Sequence, residues 1–108
     1  MSKSYEMIFA IVNTGYTEEV MDAVKAIGAT GGTIINARGT ASHEAEKFFG
    51  ISISSEKEIV MIIVDKAIKN DVLKAIYEKV GLSSPGQGIA FSVPVDDAVG
   101  LGNPNNKK

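Results

Sequence analysis

The sequence predicts an α+β fold of the ferredoxin-like type, a βαββαβ sandwich with two helices on one face of an antiparallel sheet. Apolar, β-branched stretches alternate with amphipathic ones in the order β-α-β-β-α-β, and the two halves of the chain repeat that pattern. A chain of 108 residues is long enough for one domain with a single core. We therefore expect one domain over residues 1–101, followed by a polar, disordered tail at 102–108.

The first half of the chain supplies a strand and a helix. Met7–Asn13 is apolar and β-branched, which is typical of a buried strand. Thr17 is a suitable N-cap for the helix that follows, with two glutamates in its first turn. Gly28 then predicts the C-terminal end of this helix.

Two further strands flank a long connection. Gly32–Arg38 predicts the second strand and Lys57–Asp65 the third. The third strand is apolar at consecutive positions, so we expect it in the centre of the sheet and covered on both faces. The helices would cover one face, and another subunit is a candidate for the other.

The second half repeats the helix and the strand. Asn70–Gly81 has apolar residues at helical spacing, and its final glycine predicts the end of the helix. Ile89–Gly100 alternates apolar and other residues as a half-buried strand does, and on this basis we expect Phe91 in the core. Pro94 places the later part of this strand at an edge or a bulge.

Composition excludes several classes of function. Apolar residues make up 44% and charged residues 22% of the chain, and the formal net charge is −2. No basic excess indicates binding to nucleic acid. The absence of cysteine excludes disulfides and thiolate chemistry, and it fits a cytoplasmic location. The N-terminal stretch resembles neither a signal peptide nor a membrane span, so we expect no membrane insertion.

The sequence offers little for catalysis or metal binding. His43 is the single histidine, with no cysteine to activate and no second histidine to share a metal. Glu44 and Glu46 are close together, but a hydrolytic pair of carboxylates needs a pocket. We therefore expect no catalytic residues and no metal ligands, and we interpret His43 first as an exposed polar residue.

Two glycine-rich stretches, Gly28–Thr33 and Ser83–Gly88, precede strands. Neither matches a Walker A loop or a dinucleotide fingerprint. One interpretation is turn chemistry, in which glycine supplies a positive φ. The other is ligand binding, in which the backbone N–H groups of the second stretch converge on an anion. Gln87 is correspondingly either a ligand contact or a solvent-facing turn residue.

The long connection "RGTASHEAEKFFG" carries two adjacent aromatic residues, Phe48 and Phe49. Aromatic side chains on a surface loop indicate a binding surface, so we expect partner contacts there. The alternative is that both rings fold back on the sheet. The candidate partner-binding residues of this loop are His43, Glu44, Phe48 and Phe49.

The order of elements, "GTIINARG" before a long loop, and "GQGIAFSVPVDDAV" together resemble the P-II signalling family of nitrogen regulators. The resemblance covers roughly residues 7–100. It implies a homotrimer that binds an adenine nucleotide (ATP, ADP or AMP) in clefts between subunits. The loop at about 40–55 is then similar to the family's T-loop, which contacts an enzyme, a transcription regulator or a membrane transporter. The positions that line the family's nucleotide cleft correspond here to Ile11, Thr33, Gly39, Gly86, Gln87 and Gly88.

The chain departs from the family pattern where that pattern is charged. Gln87 stands in place of an aspartate, Ile89 in place of a phosphate-binding lysine, and "GLGNPNN" in place of two arginines. Each lost charged contact removes roughly 1.5–3 kcal/mol, so the resemblance implies weakened nucleotide binding. Arg38 is the one nearby arginine and a candidate to replace part of this charge. The loop lacks the tyrosine that some members uridylylate, and it lacks the glutamine that helps to bind 2-oxoglutarate.

Three hypotheses of function follow. The first is a non-enzymatic sensor whose ligand sets the conformation of the loop and thereby controls a partner protein. The second is a trimeric metal-binding or tolerance protein of the CutA type, in which three copies of His43 would meet at a threefold axis. The third is a small enzyme, for which no nucleophile and base stand at a convincing spacing. A protein of the P-II type that has lost nucleotide binding is a variant of the first.

Overall fold

The computed structural model describes residues 4–40 and 56–101, and it has the element order that the sequence predicts. The helices are α1 (Thr17–Ile27) and α2 (Lys69–Val80), with a 3₁₀ turn at Lys66–Ile68 directly before α2. The strands are β1 (Tyr5–Asn13), β2 (Thr33–Arg38), β3 (Glu56–Asp65) and β4 (Ile89–Val95). The His43, Glu44, Phe48 and Phe49 positions and the tail at 102–108 lie outside the described residues.

The four strands form one antiparallel sheet in the order β2-β3-β1-β4. The prediction that the third strand is central is confirmed, because β3 pairs with β2 on one side and with β1 on the other. β4 is an edge strand, which explains how Pro94 is tolerated without a backbone N–H. Together with the two helices, this sheet is the ferredoxin-like α+β fold that the sequence predicts.

Both helices pack on one face of the sheet and form the core with it. Every second residue of β1 and β3 points toward the helices, so these two strands supply half of the buried cluster. Val20 and Val24 of α1, Ala29 after it, and Val72, Ile76 and Val80 of α2 complete it. The buried strand residues are Ile8, Ala10, Val12, Val60, Ile62 and Val64.

The opposite face of the sheet, here called the open face, is mostly apolar. Phe9 stacks on Phe91 with ring centroids 5.1 Å apart. Phe91 nevertheless remains 44% exposed, so the expectation that it lies in the core of the chain is wrong. Residues of β4 alternate as predicted, but the alternation places Phe91 on the face opposite the two described helices. The open face consists of Tyr5, Met7, Phe9, Ile11, Asn13, Thr33, Ile35, Ala37, Lys57, Ile59, Met61, Ile63, Asp65, Ile89, Phe91, Val93 and Val95.

The helix ends differ from prediction in one respect. Gly28 ends α1 with a φ of +122°, as expected for a glycine at that position. Thr17, predicted as the N-cap, is instead the first residue of α1, and no side chain caps the helix at Tyr16. A side-chain cap is present instead at the 3₁₀ turn before α2, where the Asp65 carboxylate accepts a hydrogen bond from the Ala67 N–H.

Candidate functional site

One end of the sheet brings together the candidate residues from three parts of the chain. β1 and β2 end there, and β3 and β4 begin there, because each neighbouring pair is antiparallel. Ile11 lies near the end of β1, Gly39 follows β2, and Gly86–Gly88 precedes β4. The same end carries Thr40 and Glu56, which flank the long connection. We call this region the loop end of the sheet.

The glycines before β4 are explained by close packing. A Cβ on Gly88 would lie 2.5 Å from the Val80 carbonyl oxygen, and one on Gly86 would lie 3.1 Å from the Val80 Cβ. Both glycines are buried, and Gln87 between them is exposed. The positive φ that the turn interpretation assigned to glycine falls on Gln87 instead, at +49°. The glycines therefore let the loop approach the end of α2, and the strained residue is the one that faces solvent.

The backbone N–H groups of this loop are already engaged within the chain. The Gly88 N–H donates to the Val80 carbonyl at 2.6 Å, and the Gln87 N–H donates to the Ser84 carbonyl at 3.0 Å. An anion-binding nest needs these groups free and convergent. The interpretation that they hold an anion is therefore wrong for these two N–H groups in this conformation. A ligand at the loop end has to rely on side chains to a larger degree.

Asn13 holds the glycine loop against the sheet. Its backbone N–H donates to the Gly86 carbonyl at 2.9 Å, and its side-chain Nδ2 donates to the Pro85 carbonyl at 2.9 Å. The same Nδ2 contacts the Gln87 Oε1 at 3.3 Å. The Lys57 Nζ donates to the Asn13 Oδ1 at 2.7 Å, so one amide group connects β1, β3 and the loop.

Asn13 and Lys57 were not singled out from the sequence. A polar residue at the last position of a strand is common, and Lys57 is one of ten lysines in the chain. What distinguishes them is that they face each other across the β1–β3 ladder, and a single sequence does not give that register. Alternation along the predicted third strand would have placed Lys57 on the same face as Ile59, which was the available signal.

Isoleucine side chains adjoin this polar cluster on the open face. Ile11 lies opposite Ile59 on one side and Ile89 on the other, and Ile35 continues the row on β2. Ile89 is 53% exposed and Ile35 is 42% exposed. Such an apolar surface suits a flat ring or an apolar side chain. The loop end thus joins an apolar strip to a group of hydrogen-bond donors.

Thr33 lies far from the other candidates within one chain. It is the first residue of β2 and pairs with Met61, whereas Arg38 pairs with Glu56 at the loop end. Gly39 lies six positions after Thr33, which corresponds to about 20 Å along an extended strand. Thr33 instead lines a cavity of about 370 Å³ at the opposite end of the open face, together with Met61 and Leu101. A site that unites Thr33 with the glycine loop requires a second chain.

Arg38 does not belong to the open face. Alternation along β2 puts Ala37 on the open face and Arg38 on the side that carries the helices. Arg38 is exposed and lines a cavity of about 370 Å³ at the sheet edge, with Glu56 and Lys57 among its walls. Its guanidinium group therefore approaches a ligand on the open face only from around the edge of β2.

The described residues contain neither a cluster of metal-ligand side chains nor a helix that could span a membrane. Within 4–40 and 56–101, no three histidine, cysteine, aspartate or glutamate side chains come together as a potential metal site. In those ranges, neither helix is long and apolar enough to cross a membrane.

Comparisons with known proteins agree with this architecture. The PII protein of Arabidopsis thaliana bound to citrate has a TM-score of 0.68 and 24% identity, covering 93% of this chain and 82% of that one. The GlnK–ATP complex of B. subtilis has a TM-score of 0.67 and 22% identity, covering 88% and 84%. B. subtilis GlnK in a second structure has a TM-score of 0.64 and 20% identity, covering 85% of each chain. No curated protein sequence matches the chain.

The solved structures support the fold, and a match to a family model shows to which protein family the chain belongs. The model of the nitrogen regulatory protein P-II matches residues 5–102, which includes every strand and helix described above. A match of this extent covers the core, the open face and the glycine loop together. The chain therefore belongs to the nitrogen regulatory protein P-II family.

Proposed function

We propose that this chain is a non-enzymatic signalling protein that forms a homotrimer and binds an adenine nucleotide in the clefts between subunits. The nucleotide would set the conformation of the segment at about 40–55, the T-loop, and so control a partner protein. The observation that carries the proposal is the family match over residues 5–102. P-II proteins are regulatory homotrimers that bind target proteins.

The open face supports assembly. A sheet face with apolar residues on all four strands is unusual for a monomer, and large apolar patches of this kind mark interaction sites. Three side chains of β4 on this face, Ile89, Phe91 and Val93, are between 43% and 53% exposed in the single chain. A trimer that packs these faces around a common axis would remove them from water.

The separation of Thr33 from the glycine loop supports a site between subunits. If both belong to one nucleotide site, Thr33 must come from one subunit and Gly86–Gly88 from its neighbour. We include Ile11, Gly39 and Gln87 with the glycine loop, and we retain Arg38 as a contact from around the sheet edge. The B. subtilis GlnK–ATP complex is an example of a related fold with an adenine nucleotide.

The partner is a protein, and an enzyme, a transcription regulator and a membrane transporter are the candidate classes. The contacts would come from His43, Glu44, Phe48 and Phe49. The family match favours this function over a metal-binding protein of the CutA type. We expect the protein to act in the cytoplasm, where adenine nucleotides are abundant.

Calorimetric titration of the purified protein with ATP, ADP and AMP tests the ligand. We expect saturable binding of at least one nucleotide with one site per chain, weaker than for a site with a full set of phosphate-binding cations. GTP serves as the control for base selectivity. The absence of any binding heat up to millimolar nucleotide would refute the ligand part and leave a P-II-type protein that has lost it.

A further inference from the structure

Lys57 is the single cation among the strand residues of the open face. The other ionisable groups there are Asp65, at the far end of β3, and the Tyr5 phenol. Strand alternation sends the neighbours of Lys57, Glu56 and Glu58, to the opposite side. Among the strand residues that the structure describes, positive charge on the face that carries Ile11 therefore comes from Lys57.

The Lys57 ammonium group is half-buried and retains donors for a ligand. Its partner in the described part of the chain is the Asn13 Oδ1, a neutral acceptor that fixes the group without neutralising its charge. An ammonium group has three N–H donors, and this contact uses one. Glu58 is committed elsewhere, since its Oε1 accepts a hydrogen bond from the Gly15 N–H at 3.1 Å. A partly desolvated cation of this kind favours an anionic partner.

The same ammonium group is close to the glycine loop. The Asn13 amide separates the Lys57 Nζ from the Pro85 carbonyl and the Gln87 Oε1, both of which the Asn13 Nδ2 contacts. Gly39 leaves room for the lysine, because a Cβ there would lie 3.2 Å from the Lys57 Cε. Ile59 follows two residues later on the same face, so the cation continues the apolar row.

We propose that Lys57, positioned by Asn13, is the cation that binds the phosphate groups of the nucleotide in this protein. This inference rests on the proposed function. The base and sugar would lie toward the isoleucine row, and the phosphates toward Lys57 and the glycine loop. Lys57 thereby supplies charge that the glycine loop lacks, since the loop's Gln87 and Gly88 N–H groups are used internally. Arg38, on the other side of β2, has a secondary role.

The test compares Lys57→Met and Lys57→Arg with wild type in calorimetric titrations of adenosine, AMP, ADP and ATP. Lys66→Met is the matched control, because Lys66 is exposed beyond the opposite end of β3 and its loss changes the net charge equally. Circular dichroism melting of each variant shows whether it is folded.

We expect wild-type affinity to rise with the number of phosphates and Lys57→Met to lose about tenfold or more for ATP. Adenosine binding should be unchanged, Lys57→Arg should stay within about threefold of wild type, and Lys66→Met should match wild type. The ATP affinity of Asn13→Ala should lie between those of wild type and Lys57→Met, because Lys57 keeps its charge but loses the hydrogen bond that positions it.

Equal ATP affinity of Lys57→Met and Lys66→Met, with wild type binding normally, would overturn the role of Lys57 and leave the proposed function intact. Equal losses in Lys57→Arg and Lys57→Met would overturn it as well, because the effect would then follow geometry and not charge. If wild type binds no nucleotide at all, the ligand part of the proposed function fails and this inference fails with it.

Discussion

Gly88 lies where any side chain would collide with the end of α2. Its own N–H bonds to the Val80 carbonyl at 2.6 Å, so the loop cannot move outward without losing this hydrogen bond. Gln87, next to it, adopts a left-handed backbone conformation that glycine would adopt at no cost. The sequence favours glycine as the residue that forms the backbone turn, whereas at this site glycine permits close packing.

Replacing Gly88 by alanine should lower the free energy of unfolding by about 1–3 kcal/mol, which is typical of overpacking in a filled core. A Cβ there would lie 2.5 Å from the Val80 carbonyl oxygen and 3.0 Å from the Val12 Cγ1. Urea unfolding followed by circular dichroism measures the change. Gly31→Ala is the control, since a Cβ at Gly31 has nothing within 4 Å. Equal effects of the two substitutions would contradict the packing account.

The long connection between β2 and β3 carries the predicted partner-binding residues, which lie outside the described residues. Its two flanks, Thr40 and Glu56, are at the loop end of the sheet, the same end as the glycine loop. A ligand held there is therefore close to both ends of the segment. Such placement suits a sensor in which a small ligand orders or releases a partner-binding segment.

The double substitution Phe48→Ala and Phe49→Ala should abolish partner capture without changing the oligomeric state or the melting temperature. The reason is that aromatic anchors dominate binding at protein interfaces, whereas exposed rings contribute little to folding. Affinity purification with quantitative mass spectrometry measures capture. Tyr77→Ala, which removes a 69% exposed ring from α2, is the control. A marked fall in the melting temperature would show that the two rings fold back on the sheet.

For the whole molecule, the order of elements, the central β3 and the edge position of β4 followed from apolar periodicity and from Pro94. The exposure of Phe91 did not follow from the sequence, because alternation gives the face on which a residue lies and not what covers that face. The Asn13–Lys57 contact also escaped prediction, because it depends on register between strands more than forty residues apart. Both failures concern contacts beyond a single local segment.

If the proposed trimer packs through the open face, replacing Phe91 by lysine should convert it to monomers while the chain stays folded. The substitution puts a charge on the open face and removes the stacking on Phe9, which contributes about 1 kcal/mol. Light scattering after size-exclusion chromatography measures the oligomeric state. Tyr77→Lys, on an exposed position of α2, should leave the oligomeric state unchanged. An unchanged trimer in Phe91→Lys would mean that the open face is not the interface.

Native mass spectrometry of the full chain with added ATP or ADP tests most directly the claim that nucleotide binds between subunits. It reads subunit number and bound ligand in the same ion. We predict a mass of three 11.4 kDa chains that carries up to three nucleotides, while dissociated monomers carry none. Monomers that retain nucleotide, or a trimer that binds none at millimolar concentration, would contradict the account.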